Sequence, residues 1–404
     1  MLGVDSSRRV LSGMRSTGTL HLGHLHGAIG NWVQLQKEYE CFFLVADLHG
    51  FSTQYEQPNM IANSSFEMVM DWLAAGINPN NPIFLQSQVP QHAELFLLLS
   101  MITPLSWLER LPAYRDHNET LQDKDLSTYG FLGYPVLQAA DALLYRAGLI
   151  PVGQDQVPHV EVARSIARRF NYLYGREDGF EQALELAQRK LGKKLSELYG
   201  RLRKQYQEKG DVDALLAAKA LIKEQSNITI SDQERLLGGL DGQGRNILPE
   251  AQPLLSPHSS ILGVDGRKMS KSLNNTITLR ETPDAVVKKV MGMRTDPARL
   301  RRTSPGNPEN CPVWSFHKLY SKEDTQAWVQ QGCTSASIGC VDCKKPIVDA
   351  INEDLQPVRI RAAEYEKDPG YVRQVLVDGA EHAQEEAEAT LDQVKEAMGL
   401  GRFY

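Results

Sequence analysis

The chain has no apolar stretch long enough to cross a bilayer. Its longest, Leu95 to Ile102, falls far short of the roughly 20 residues a spanning helix needs. The start, Met1-Leu2-Gly3-Val4-Asp5, lacks the basic and apolar regions of a secretory signal, so the expected location is the cytoplasm. An excess of positive charge is missing too: 50 acidic residues against 44 basic ones give a net charge of -6. That argues against a protein that coats nucleic acid with its whole surface, and leaves room for a local basic face. Cysteine is scarce, with five in 404 residues, and a reducing compartment disfavours a disulfide framework. No internal repeat or low-complexity tract stands out. What remains is a long chain that is 42% hydrophobic, enough for a sizeable core and two or more domains.

The first 160 residues alternate between strand-like and helix-like text. Arg9-Val10-Leu11, Cys41 to Ala46, Pro82 to Leu85 and Leu149 to Val152 are short apolar runs separated by helical segments. Runs of this kind predict buried parallel strands in an α/β fold. Ligands in such a sheet sit at the carboxyl ends of strands. The Gly13 to Gly18 stretch, read as a tight turn, His49 and the Gly153 to Gln156 segment all follow such ends. Cys41 reads as a small buried hydrophobe in a core strand.

Residues 176 to 228 change character. Glu181 to Glu208 and Val212 to Glu224 are rich in helix formers and are broken at Gly210-Asp211, which predicts two helices in a hairpin. This insertion reads first as a solvated structural element and second as a contact for RNA or a partner, for which the basic cluster Arg201, Arg203 and Lys204 is weak support. From Pro283 onward the text is helical again, with amphipathic stretches at Asp284 to Met291 and Gln374 to Met398. The expected units are residues 1–175, an insertion at 176–245, a return at 246–282 and a helical unit at 283–404.

Two short motifs carry the chemistry. His21-Leu22-Gly23-His24 follows the first strand and opens a helix; Lys268-Met269-Ser270-Lys271-Ser272 lies on a basic loop between Gly266 and Asn274-Asn275. His21 and His24 share one face near a helix start, Gly23 lets backbone approach a ligand, and the helix end adds partial positive charge. Lys268 and Lys271 suit a pyrophosphate leaving group, whose growing charge must be stabilised. Each motif alone also reads as something plainer, a surface His pair or a metal site with His26, and a basic turn. Together, in this order, they resemble the two signatures of class I aminoacyl-tRNA synthetases. Leu11 to Gly18, Leu20 to Ala28, Tyr134 to Asp141, Pro151 to Gln156 with His159 and Glu161, and the tail Ala397 to Gly401 resemble the tryptophanyl enzymes of bacterial type. The similarity covers nearly the whole chain outside the insertion.

The resemblance implies a Rossmann-type parallel sheet with a C-terminal all-helical anticodon-binding domain. It implies activation of L-tryptophan with ATP and Mg2+, then acylation of the 3′-terminal ribose of tRNA(Trp), with first attack by the 2′-hydroxyl. It implies a homodimer and no membrane. Carried over residue by residue, His21, His24, Lys268 and Lys271 are catalytic. Arg15, Ser16, Thr17, Gly23, His24, Gly153, Gln154, Asp155 and the loop residues Lys268, Met269, Ser270, Lys271 and Ser272 contact ATP, Asp155 at the ribose. Asp141 accepts the indole N–H. Tyr134 and Gln156 hold the ammonium and carboxylate end, and Leu11, Gly13 and His49 border the pocket. Arg115 stands where the family often has a lysine near the phosphates. Ser100 to Asp116, with Trp107 and Leu108, is expected at the dimer interface or the acceptor stem. Arg15-Ser16 departs from the Gln-Pro or Arg-Pro of many relatives, and Leu22 replaces isoleucine. The role of Asp141 also has independent logic: an indole offers one donor and no acceptor, and a helical aspartate among apolar residues needs a partner, whether ligand or protein.

Cys311, Cys333, Cys340 and Cys343 crowd the C-terminal third. Four thiolates suit a [4Fe-4S] cluster or tetrahedral zinc. The pattern resembles the subset of tryptophanyl enzymes that carries a [4Fe-4S] cluster, although the first spacing here is one residue shorter. Rival readings are a tyrosyl enzyme of the same fold, a non-catalytic binding paralogue and another nucleotidylyltransferase.

Overall fold

The computed structural model describes residues 8–112, 128–175, 179–209, 211–241, 244–255 and 261–401. Its centre is one parallel sheet of five strands: β1 (Arg9–Met14), β2 (Glu40–Val45), β3 (Ile83–Leu85), β4 (Leu149–Val152) and β5 (Gln252–Leu255), in the order β3-β2-β1-β4-β5. The alternation of side chains explains the continuous apolar text. Cys41, Phe43 and Val45 feed one core, while Phe42, Leu44 and Ala46 feed the core on the opposite face. Cys41 is fully buried, and burial pushes its thiol up to about 12.

Three expectations need correction. Gly13 is not in a turn: β1 runs through it to Met14, in register with Leu44, and the bend begins at Arg15, whose carbonyl accepts from Thr17 N. A Cβ on Gly13 would stand 3.0 Å from the Leu44 carbonyl oxygen, so close strand packing explains the glycine. Residues 176–228 hold three helices rather than two, Phe180–Lys190, Lys193–Lys209 and Val212–Lys223, and a fourth, Ile230–Asp241, follows within the 176–245 insertion. Gly192, at φ +80°, splits the stretch expected as one helix. These helices share their own core, built on Leu184, Tyr199, Ile222 and Leu236. Lastly, Leu108 is buried and Trp107 packs on the main core, so they serve the fold; Met101 and Leu105 are the exposed apolar residues of that segment. Arg115 and residues 113–116 of the segment lie outside the described residues.

The C-terminal helices, Cys340–Lys367 and Pro369–Ala397, do not stand apart from the sheet. Ile347, Ile351 and Leu355 join one core; Ala383, Ala387 and Leu391 join the other. The last helix lies on the edge strand β3, where a Cβ on Gly379 would fall 2.1 Å from the Ile83 carbonyl oxygen. A covered edge cannot recruit another strand.

Candidate active site

The two motifs, far apart in sequence, are stitched together by backbone. Leu22 N donates to Ile277 O at 3.0 Å and Leu279 N to Leu20 O at 3.2 Å, with His21 bridging Thr278. The strand-like return after the basic loop thereby lies against the start of the His21 helix. That helix runs through Leu22–His24, a π turn at Leu25–Ile29 and Gly30–Leu35.

The histidines cap their own helix. His21 Nδ1 accepts from Gly23 N at 3.2 Å, and His24 Nδ1 accepts from His21 N at 3.2 Å. A ring nitrogen that accepts carries no proton, so each neutral ring bears its hydrogen on Nε2. Burial, with the Lys271 charge adding, lowers the His21 pKa to about 4. Burial, then His21 and Lys271, lowers the His24 pKa to about 3. At neutral pH both are uncharged N–H donors. His26 is not part of a metal set: its Nε2 lies 2.7 Å from the Tyr320 hydroxyl and 3.0 Å from Asp354.

The basic loop folds over the same place. Leu262 pairs with Lys268, and buried Asn275 binds Ser270 N through Oδ1 and donates to Asp265 and to the Lys268 carbonyl. Met269 anchors the loop in the core, while Lys268 and Ser272 are exposed and Ser270 shares a hydrogen bond with Ser272. Lys271 turns inward, donating to Thr17 O at 3.1 Å beside Gly18, whose φ of +105° suits glycine alone. Burial lowers the Lys271 pKa to about 8 against the opposing effect of Asp71.

A cavity of about 430 Å³ opens at the carboxyl ends of β1 and β4. It gathers Leu11, Gly13, Arg15, His49, Tyr134, Asp141, Gly153 and Gln156 from the expected set. It does not include His21, His24 or the basic loop; Lys271 of that loop meets Thr17, two residues after Arg15. Gln154 and Asp155 are exposed on the short 3-10 turn after β4, and Gln156 donates to Asp155. Ser16 is fully buried and its Oγ has no partner among the described residues, so its side chain faces away from solvent. The Tyr134 hydroxyl meets His159 Nε2 at 2.8 Å. Burial raises the Tyr134 pKa and lowers that of His159.

Asp141 forms the deep end. The helix Tyr129–Leu144 carries it into the core at 3% exposure. Its Oδ1 accepts from Gln86 Nε2 at 2.7 Å and His92 Nδ1 at 2.7 Å, and its Oδ2 from His49 Nε2 at 2.8 Å. A carboxylate accepts about four such bonds, so one place remains, on Oδ2. Burial opposes ionisation, but the His49 and His92 contacts prevail and hold the pKa at about 2. Gln86 and His92 were not expected from sequence. The available signal was a buried amide directly after β3 and a histidine in the next helix.

In the C-terminal helical region the four cysteines line one small cavity with Arg299, Asp296, Thr295 and Val313. Burial and the neighbouring thiols push Cys343 up to about 12, and burial raises Cys311 and Cys333. Arg299 Nη1 lies 3.7 Å from Cys333 Sγ, and His317 Nε2 lies 3.4 Å from Cys343 Sγ. Among the described residues, no group of three or more His, Cys, Asp and Glu side chains is placed to hold a single metal ion.

A family model described as tRNA synthetases class I (W and Y) matches residues 5–199 and 229–356. The chain belongs to that family. A tryptophan–tRNA ligase of Ralstonia nicotianae is 57% identical, covering 97% of this chain and 98% of that one. One from Thermotoga maritima is 41% identical over 97% of this chain and 99% of its own length. A Campylobacter jejuni tryptophanyl-tRNA synthetase structure, complexed with ADP and tryptophan, has a TM-score of 0.72 at 25% identity, covering 97% and 100%. The gap in the family match, 200–228, falls within the four-helix insertion. No helix among the described residues is long and apolar enough to cross a membrane.

Proposed function

We propose that this chain is a tryptophan–tRNA ligase. It activates L-tryptophan with Mg-ATP to tryptophanyl-adenylate and pyrophosphate, then esterifies the 3′-terminal ribose of tRNA(Trp). The observation that carries the reading is the buried, ionised Asp141 with one open acceptor place at the deep end of a cavity that also holds Leu11, Leu44, Ala46, Phe131 and Ala142. An indole N–H fits that place, and the charge-assisted bond is worth ~1.5–3 kcal/mol. The relatives' shared activity supports the same substrate.

In this reading Leu11, Gly13 and His49 wall the indole, and Tyr134 and Gln156 face the amino acid's polar end. Arg15, the Thr17 and Gly23 backbones, and the Nε2–H groups of His21 and His24 receive the phosphates. Asp155, beside Gly153 and Gln154, takes the ribose, and Ser16 acts only through its backbone. The tryptophan carboxylate attacks the α-phosphorus in line as pyrophosphate leaves. No protein nucleophile is required, so positioning and charge carry the rate. Lys268, Lys271 and the Ser270 and Ser272 hydroxyls meet the charge gathering on pyrophosphate. Mg2+ accompanies ATP and supplies further charge neutralisation on the phosphates.

The four cysteines suit a [4Fe-4S] cluster better than zinc. One zinc ion needs all four sulfurs at ~2.3 Å, and among the described residues no three such side chains are placed around a single metal ion, whereas a cluster places each thiolate on its own iron. Arg299 and His317 supply the N–H donors that thiolates favour. A homodimer accords with the exposed Leu97, Met101, Leu105 and Tyr129, and with an apolar groove lined by Leu48, Phe51, Phe96 and Leu137.

Pyrophosphate exchange with each amino acid tests the function. Exchange with tryptophan alone is expected; exchange with tyrosine instead overturns it. Iron, sulfide and zinc analysis of anaerobically purified protein tests the cysteine site, with about four irons per chain expected.

A further inference from the structure

The tryptophan pocket rests on a second layer of buried polar groups that never touch the cavity. His92 is completely buried in the helix Gln91–Ser100, and Gln86 is completely buried on the short turn after β3. Neither lines the cavity that Asp141 closes. His92 uses both ring nitrogens: Nδ1 on Asp141 Oδ1 at 2.7 Å and Nε2 on the Tyr145 hydroxyl at 2.7 Å. A carboxylate only accepts, so Nδ1 must carry the proton and Nε2 takes the Tyr145 hydroxyl hydrogen. Tyr145 is itself immobilised, stacked on Phe42 at 5.0 Å, with its carbonyl held by Arg9 at 3.0 Å.

We infer that His92, fixed in one tautomer by Tyr145, is a positioning residue that sets the specificity of the site for an indole N–H. With Gln86, it occupies Oδ1 of Asp141 completely and turns Oδ2 toward the cavity. A free carboxylate can rotate about its last bond or take a proton, and then presents a donor to the substrate. The clamped one can only accept. Tight geometry from outer-layer partners is what makes an inner polar group selective, as in the outer layers that orient metal ligands. The inference rests on the reading of Asp141 as the indole partner.

The test compares L-tryptophan with its benzothiophene isostere, 3-(benzothienyl)-alanine, in which sulfur replaces the indole N–H. Pyrophosphate exchange gives kcat/KM for each in the full-length enzyme. The wild type should prefer tryptophan by about 10- to 150-fold, the value of one charge-assisted hydrogen bond. In His92→Leu the preference should fall to within about 3-fold of unity, chiefly through KM for tryptophan. His92→Asn, which returns an N–H near the place of Nδ1, should restore most of it. Tyr145→Phe should lower it at least about 3-fold by releasing the tautomer, and it serves if His92→Leu does not fold. A His92→Leu or Tyr145→Phe enzyme with the wild-type preference overturns the inference, as does an equal loss for both substrates. If the wild type shows no preference, or Asp141→Asn retains it, the reading of Asp141 itself fails, and the inference with it.

Discussion

The inward ammonium of Lys271 gives the enzyme a predictable alkaline limb. Lys271 is held against Thr17 O and Gly18 in a partly dry place, and its pKa falls to about 8. Asp71, the nearest opposing charge, is engaged by Arg280 Nε at 2.9 Å and does not fully compensate. In the proposed reading binding of the ATP phosphates needs the cation, so kcat/KM for ATP, which reports the enzyme before ATP binds, should fall above pH 8. With a pKa of about 8, roughly one molecule in ten keeps the charge at pH 9, a loss of about tenfold. Lys271→Arg should remove that limb because a guanidinium stays charged, although its planar head should lower the neutral-pH rate. Lys271→Met should lose about 10²- to 10³-fold in kcat at pH 7, the usual value of one donor at developing charge, with KM for tryptophan little changed. The assay is pyrophosphate exchange from pH 6.5 to 10, with ATP varied at saturating tryptophan. An identical alkaline limb in the Arg variant, or a wild-type profile flat to pH 10, would refute the reasoning.

Other outcomes follow from particular contacts. Glu234 is 1% exposed and accepts from Arg146 at 3.1 Å and Arg245 at 2.7 Å, tying the insertion to the sheet; Glu234→Ala should cost about 3 kcal/mol in urea unfolding, and a loss under 1 kcal/mol would show that the tie is idle. Folding keeps His21, His24 and His317 neutral while the unfolded chain takes up protons below about pH 6.5. Their contribution is therefore full above pH 6.5 and is lost as pH falls toward about 4, at up to roughly 2 kcal/mol each by pH 5. His24→Asn should flatten that slope in urea titrations, and an unchanged slope would count against it. Met101→Asp should yield a monomer in sedimentation velocity if the exposed apolar face joins two copies, and an unaltered mass would place the interface elsewhere.

Much of this molecule was legible in sequence, for physical reasons. Strands β2 and β3 are mostly buried and appear as continuous apolar runs, while β1 and half-buried β4 keep short ones at Val10-Leu11 and Leu149 to Val152. Strand β5 escaped because it is a short, partly exposed edge strand, Gln252-Pro253-Leu254-Leu255, with too little apolar text to stand out. The cavity residues from Leu11 to Gln156 came from a resemblance, and the structure brings most of them together. The roles of the histidine rings were not legible, since capping by a side-chain ring depends on local dihedrals rather than residue type. Gln86 and His92 carry no motif; only burial beside Asp141 makes them matter. The split at Gly192 was missed because the flanking helix formers masked one glycine.

The measurement that bears most directly on the account is the amino-acid selectivity of Asp141→Ala. Pyrophosphate exchange would be followed with tryptophan, tyrosine and phenylalanine, beside a check of folding by circular dichroism. The account predicts a folded variant whose kcat/KM for tryptophan drops on the order of 10- to 150-fold, with the margin over the other two amino acids shrinking. Unchanged tryptophan kinetics in a folded Asp141→Ala enzyme would contradict it.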